Sequence, residues 1–301
     1  MKPLFSHFLL GILGVCQISL ASADTGVAKR PQLKLCTATA GNIYHQIGSK
    51  IARHMHGAVD VDVVETKGSW ENLETMSAMR PRCDAILAQE DAVLLHQFQN
   101  PESKMAMERV TSVFEEKLHI LCNRKVRQQD LSEIKAGDVE ILTNDYGSGS
   151  YITWRMLMKL NKKYRRFGSE ERGLDGALLR LLDNDRPTCL FFVAGLNGRT
   201  LKRAENNFSD RLKLISLTDE SLTVSNGRLK KPLYKTSLIP ASAYPKLSKV
   251  DVNTLAVNAV FFVSTRWKDG HPDGFKALNN SLLDLMVKPN GQDQKKAKAA
   301  E

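Results

Sequence analysis

Between Leu33 and Asp91 the chain repeats one grammar three times: an apolar run, a small-residue or polar turn, then a helical pattern. The units read LKLCTATAGNIYHQIG, VDVVETKGSWENL and CDAILAQEDAVLL. Apolar runs of strand length alternating with amphipathic segments specify parallel strands joined by crossover helices, hence an α/β fold. In open α/β sheets a ligand sits beyond the carboxyl ends of the strands. The turns Thr39–Tyr44, Gly68–Asn72 and Gln89–Asp91 are therefore expected to converge on one pocket.

Within this frame, strands are expected at Leu33–Thr37, Val59–Val64 and Cys83–Leu87. Ile43, Ile47, Ile51 and Met55 recur every four positions and predict one apolar helix face. Ser69 stands where an N-cap belongs, with Leu73 and Met76 turned inward. A further helix begins at Asp91, and two short strands, Val110–Phe114 and Leu118–Cys122, lead into a second lobe. There the pattern restarts: strand Val139–Thr143, turn Asn144–Gly149, helix Tyr151–Leu160, helix Leu174–Leu182, strand Thr188–Val193 and strand Leu212–Leu217. The chain is expected to return near Leu238–Tyr244 and to finish with strand Thr254–Ser264 and helix Pro272–Met286. This divides it into a first lobe (24–123 and 239–287) around a second (124–238), with a polar tail at 288–301. Two α/β units joined by two crossovers give a hinged molecule that closes on a ligand.

Lys2, an apolar run from Phe8 to Leu20 and Ala21-Ser22-Ala23 match a secretory leader cleaved after Ala23. Cys16 leaves a lipoprotein anchor open, although Val15 is bulkier than the residue usual there. Secretion would permit disulfides among Cys36, Cys83, Cys122 and Cys189. Cys36 and Cys83 can pair across neighbouring strands, and buried free thiols are an equal reading. No CxxC spacing points to a metal site. Lys and Arg outnumber Asp and Glu by 43 to 33, but the basic residues are scattered and not interleaved with aromatics, which argues against nucleic acid.

The candidate pocket has few residues with evident chemistry. Gly147-Ser148-Gly149-Ser150 opens a helix, and free N–H groups with the helix dipole behind them favour an anion. A plain Gly/Ser turn capping a helix is the alternative. Tyr44 can stack on or hydrogen-bond a ligand, Gln89 can donate to a carboxylate or amide, and Asp91 either accepts from an amine or caps its helix. Trp70 lines the pocket or covers core. No GxSxG, HExxH, P-loop or GxGxxG pattern is present, so no enzyme chemistry and no cofactor are expected.

Ala40-Gly41…Tyr44…Gly48, Gly68-Ser69-x-Glu71-Asn72-Leu73 and Asp84-Ala85-Ile86-x-x-Gln89-x-Asp91 resemble the TAXI-type solute receptors of TRAP (tripartite ATP-independent periplasmic) transporters. Tyr146–Ser150, Ile239-Pro240-Ala241-x-x-Tyr244-Pro245 and Val252-x-Thr254-Leu255-Ala256-Val257 follow in the same order, so the likeness spans roughly 33 to 264. It implies a two-lobed periplasmic-binding-protein fold, type II-like, and a small carboxylate, an amino acid or a dicarboxylate with a glutamate-like ligand taken first, delivered to a TRAP-type membrane permease. It also implies that ligand contact falls on Thr39, Gly41, Asn42, Tyr44, Ser69, Asn72, Gln89 and Asp91. In the second lobe the contacts are Gly147, Ser148, Gly149, Ser150, Ala194 and Gly195. Asn42, Ala40, His45 and Lys246 depart from the family's usual residues, three of them in or beside the ligand loop. That departure leaves room for a second role, a ligand-sensing subunit signalling to a membrane partner.

Overall fold

This computed structural model describes residues 30–287 apart from 56, 103, 104, 184 and 226–230. The expected leader and tail lie outside the described residues. The three expected units form β1 (Gln32–Cys36), α1 (Ile43–Met55), β2 (Asp60–Val64), α2 (Ser69–Ser77), β3 (Ala85–Gln89) and α3 (Glu90–Gln99). Strands β2, β1 and β3 lie side by side and parallel. All five residues of β3 are buried, as its unbroken apolar run requires of a central parallel strand.

The inward face of α1 is not the expected one. Tyr44, Gly48, Ile51 and Met55 are buried, while Ile43 is 40% exposed. The cause is Gly48. A Cβ there would fall 2.6 Å from Thr37 Cγ2 and 3.3 Å from Val63 Cγ1, so the helix rests on the sheet along its one residue without a side chain. The rotation carries Tyr44 into the core.

The two short strands expected at 110–114 and 118–122 are one, β4 (Met107–Asn123). Its Glu115-Glu116-Lys117 triplet read as a break because three polar residues interrupt the apolar pattern. It is instead where β4 changes neighbours. On one side, β4 pairs antiparallel with β10 (Val252–Ser264), from Met107 opposite Ser264 to Lys117 opposite Ala256. On the other, Lys117 to Cys122 pair with β7 (Thr188–Ala194), and β8 (Leu212–Ile215) joins at the same end. The later units supply β5 (Glu140–Thr143), α4 (Gly149–Leu160), β6 (Ser169–Glu171), α5 (Leu174–Asp183) and α6 (Arg199–Phe208). Strands β7, β5 and β6 are parallel, and the sheet order is β2-β1-β3-β10-β4-β7-β5-β6. The chain ends with β9 (Lys235–Ile239) against the start of β10, then α7 (Thr265–Gly270) and α8 (Pro272–Val287).

Four of these elements carry little apolar signal. Helix α6 (RTLKRAENNF) buries only Leu201, Ala204 and Glu205, and α7 is anchored by Trp267 alone. Strand β6 is the polar triplet SEE and β9 is mostly exposed.

One apolar core joins Leu73, Ile86 and Leu95 of the first units to Ile141, Trp154 and Phe191 of the later ones. Ile239, Tyr244 and Val252 pack with Leu142, Leu178 and Leu201. The cysteines, open between pairing and free thiols from sequence, form two disulfides, Cys36–Cys83 and Cys122–Cys189, with Cα separations of 5.8 and 4.0 Å. No described helix is long and apolar enough to cross a membrane.

Gly48→Ala tests the seating of α1. Helix propensity favours alanine by roughly 1 kcal/mol, but overpacking typically costs about 1–3 kcal/mol. A net loss of about 1 kcal/mol is expected in urea unfolding; a more stable variant would show that α1 is free to lift from β1.

Candidate functional site

The carboxyl ends of β1 and β3 are held by one side chain. Asn72 Nδ2 donates to the carbonyls of Thr37 and Leu87, both at 2.8 Å, and its Oδ1 accepts from Thr66 Oγ1 at 2.7 Å. The residue is fully buried. All three partners belong to the protein, so the expected ligand-contact residue acts here as a clamp that sets the spacing of the strand ends. Ser69 is likewise not a helix cap: Gly68 (φ 111°) takes that place without a side-chain bond. Its Oγ instead accepts from the Gln89 N–H (3.1 Å) and lies 3.5 Å from Tyr44 Oη. The Tyr44 hydroxyl donates to Glu116 Oε2 at 3.0 Å, which completes a buried line from β3 through α2 and α1 to β4. Glu116 was missed from sequence; its signal is a carboxylate inside an otherwise apolar strand.

Asp91, open between cap and amine acceptor, does a third thing. It is fully buried, and its Oδ2 accepts from Thr153 Oγ1 (2.6 Å) on α4 and from Tyr234 Oη (3.0 Å) just before β9. Three distant chain segments therefore meet on one carboxylate. Neither Thr153 nor Tyr234 stands out in the sequence, since one lies mid-helix and the other in a loop.

The second lobe reaches the same place through α4. Ser148 caps the helix by accepting from the Tyr151 N–H (3.2 Å), and Ser150 Oγ accepts from the Val193 N–H (3.1 Å). A Cβ on Gly149 would stand 2.5 Å from Gln89 Oε1, and one on Gly147 (φ +78°) would touch Trp70 at 3.4 Å. Glycine at these positions is what allows the helix N-terminus to pack against Gln89 and Trp70. Trp70 also packs on His96 and on Tyr146, which is 64% exposed at the rim.

The loop at 39–42 lies outside this cluster. Thr39, Gly41 and Asn42 are exposed; the Asn42 N–H donates to the Thr39 carbonyl, and Asn42 Oδ1 accepts from the Tyr44 N–H. Arg199 Nη2 approaches to 3.5 Å of the Cβ position of Gly41 (φ +84°), bringing the start of α6 over the loop. Ala194 pairs with Lys117 where β4 changes neighbours, and Gly195 follows it. Structure thus gathers Tyr44, Ser69, Gln89, Asp91, Gly147, Gly149 and Ser150. It leaves Thr39, Gly41, Asn42, Ala194 and Gly195 at the edges, with Ser148 turned to its own helix.

Electrostatics separate the buried acids. Burial pushes the Glu116 carboxyl up to about 8 and Asp91 up to about 6. Burial also pushes His119 down to about 4; its Nδ1 lies 2.9 Å from the Lys117 carbonyl, at the same crossing. Among the described residues no group of three or more His, Cys, Asp or Glu side chains is arranged to hold a metal.

Helix N-termini, hydroxyls and amides thus meet at the strand ends, where the first three units and the later ones come together. The residues matched by a known family extend well beyond this centre, from 35 to 271. The chain belongs to the NMT1-like family. No curated protein sequence matches it. Its fold is the two-lobed fold of periplasmic binding proteins. The aliphatic sulphonate binding protein SsuA from Escherichia coli matches with a TM-score of 0.52 at 9% identity, over 90% of this chain and 77% of that one. Lactococcal OpuAC in its closed conformation with glycine betaine matches at 0.50 and 10% identity, over 89% and 94%. A TctC solute binding protein from Polaromonas matches at 0.50 and 14%, over 87% and 86%.

Two outcomes follow from the site. Asn72→Ala strips three hydrogen bonds from buried partners and is expected to cost about 2–4 kcal/mol, at about 1–3 kcal/mol for a buried group left unsatisfied, read by chemical denaturation. Glu116 has a folded value near 8 against an unfolded one of 4.5, so the folded state keeps a proton that the unfolded chain releases. Its contribution is full below pH 4.5 and is lost as pH rises to 8. His119 works in the opposite direction, but only below 6.5. Between pH 6.5 and 8 stability should therefore fall by about 1–2 kcal/mol, and Glu116→Gln should flatten that slope. An unchanged slope would place the titration elsewhere.

Proposed function

We propose that this chain is a non-enzymatic, extracytoplasmic solute receptor of the TAXI type, closing its two lobes over a small carboxylate-bearing solute and delivering it to a TRAP-type membrane permease. The observation that carries this reading is the meeting of the α4 N-terminus with Gln89 and Trp70 across the cleft. Free N–H groups at a helix start, backed by the dipole, favour a carboxylate. Strands β4 and β10, shared by both lobes, supply the hinge. The ordered motifs from Ala40 to Val257 support the TAXI assignment, and the leader pattern ending at Ala23 supports export.

The test is a melting-temperature panel of carboxylates and amino acids on protein refolded under oxidising conditions to strip carried solute. A solute binding only the native state adds about 2.7 kcal/mol at a hundredfold excess over Kd. One chemical class is expected to raise the melting temperature, and Gly149→Ala, whose Cβ would strike Gln89, is expected to abolish the shift. A flat panel with correctly folded protein removes the reading.

A further inference from the structure

The centre of the cleft has acids without cations. Glu116 is 7% exposed; the Tyr44 hydroxyl donates to it, and the Gln89 amide stands beside it within donating reach. Asp91 is fully buried and is held by the Thr153 and Tyr234 hydroxyls and by the backbone N–H groups of Asp91 and Ala92. Among the described residues no Lys, Arg or His makes an ion pair with either. The neighbouring acids are treated differently: Glu115 pairs with Lys235 at 3.3 Å and Glu90 with Arg109 at 3.0 Å. Lys117, next along β4, is turned to Ser237 Oγ at 2.5 Å. The chain thus supplies cations to the flanking carboxylates and withholds them from the two buried ones.

Gln89 gives an independent sign. It is 1% exposed and lies beside both Glu116 and the α4 N-terminus, yet neither Oε1 nor Nε2 makes a hydrogen bond of good geometry. An amide buried in this way is costly unless something completes it. Its carbonyl oxygen can accept from a cationic N–H, and its NH2 can donate to a carboxylate.

Resting on the receptor reading, we propose that the solute carries a cationic nitrogen, which Glu116 and Gln89 Oε1 receive, and that Glu116 is the residue that sets the preference for it over a second carboxylate. Without a cation, an unpaired buried carboxylate is expensive, so Glu116 holds a proton. When an ammonium docks, Glu116 releases that proton to solvent and retains the charge that the ammonium neutralises. The titratable groups facing it are Tyr44 from α1 and Asp91 from α3. A second carboxylate in the same position would bring no charge against which Glu116 could give up its proton, and would meet the charge of Asp91.

The experiment compares, for chains of three to six carbons, each dicarboxylate with its ω-amino acid and its α-amino derivative. Calorimetry at pH 7 in buffers of different ionisation enthalpy gives affinity and proton count together. The amine-bearing members are expected to bind at least tenfold tighter than the matched dicarboxylate and to release close to one proton. Glu116→Gln is expected to erase both the preference and the release. Should that variant not fold, the proton count of the native protein still decides. Dicarboxylate binding that equals or exceeds that of the amines, or binding confined to solutes lacking a cationic nitrogen, overturns this inference and leaves the receptor reading intact. No binding in this set or in the wider carboxylate panel removes both.

Discussion

The antiparallel pairing of β4 with β10 is the constraint on which the rest of the molecule depends. Both strands are long enough to belong to two halves of the sheet, and β4 exchanges β10 for β7 around Lys117. Irregularities in register between Ala259 and Val260, and again between Phe261 and Phe262, bend the pair. The parallel strands of both halves are attached to this ribbon, β3 through β10 and β7 through β4. The polar triplet Glu115-Glu116-Lys117 sits at the exchange point, so the buried carboxylate and the residue that joins the halves are consecutive.

The first half was legible because its physics is local. Apolar runs, small-residue turns and helical periods each extend over a few residues, and β1 to α3 fell within about two residues of where they were expected, as did β5, α4, α5, β7, β8 and β10 later in the chain. Long-range packing was not legible. A four-residue apolar repeat cannot reveal that Gly48 would bring α1 down on Thr37 and rotate Tyr44 inward. Nor can a run of polar residues in β4 show that a strand continues through it. Elements with one or two anchors, such as α6 and α7, give no periodic signal at all.

The site divides in the same way. Turns at strand ends pointed to the region where Tyr44, Ser69, Gln89 and Asp91 come together, because parallel α/β topology dictates where those ends lie, although the loop at 39–42 stays outside it. The roles within it were harder. Asn72, Ser69 and Asp91 have donors and acceptors suited to a ligand, but most of that capacity is used internally, on strand carbonyls, on a strand amide and on two hydroxyls. Whether a polar side chain serves the protein or a solute depends on what stands opposite it. For Asp91 the partners are 62 and 143 residues away. Glu116 escaped notice for the complementary reason: it belongs to no motif, and only burial without a cation makes it conspicuous.

The two disulfides each stay within one half, Cys36–Cys83 beside β3 and Cys122–Cys189 across β4 and β7. Neither bridges the exchange point at Lys117. They are also consecutive along the chain, neither nested nor interleaved. A polypeptide threaded N-terminus first into an oxidising space would expose the first two of these thiols before the others. Pairing in order of arrival then gives both native bonds directly, with no need for the slow thiol–disulfide exchange that corrects mispaired cysteines.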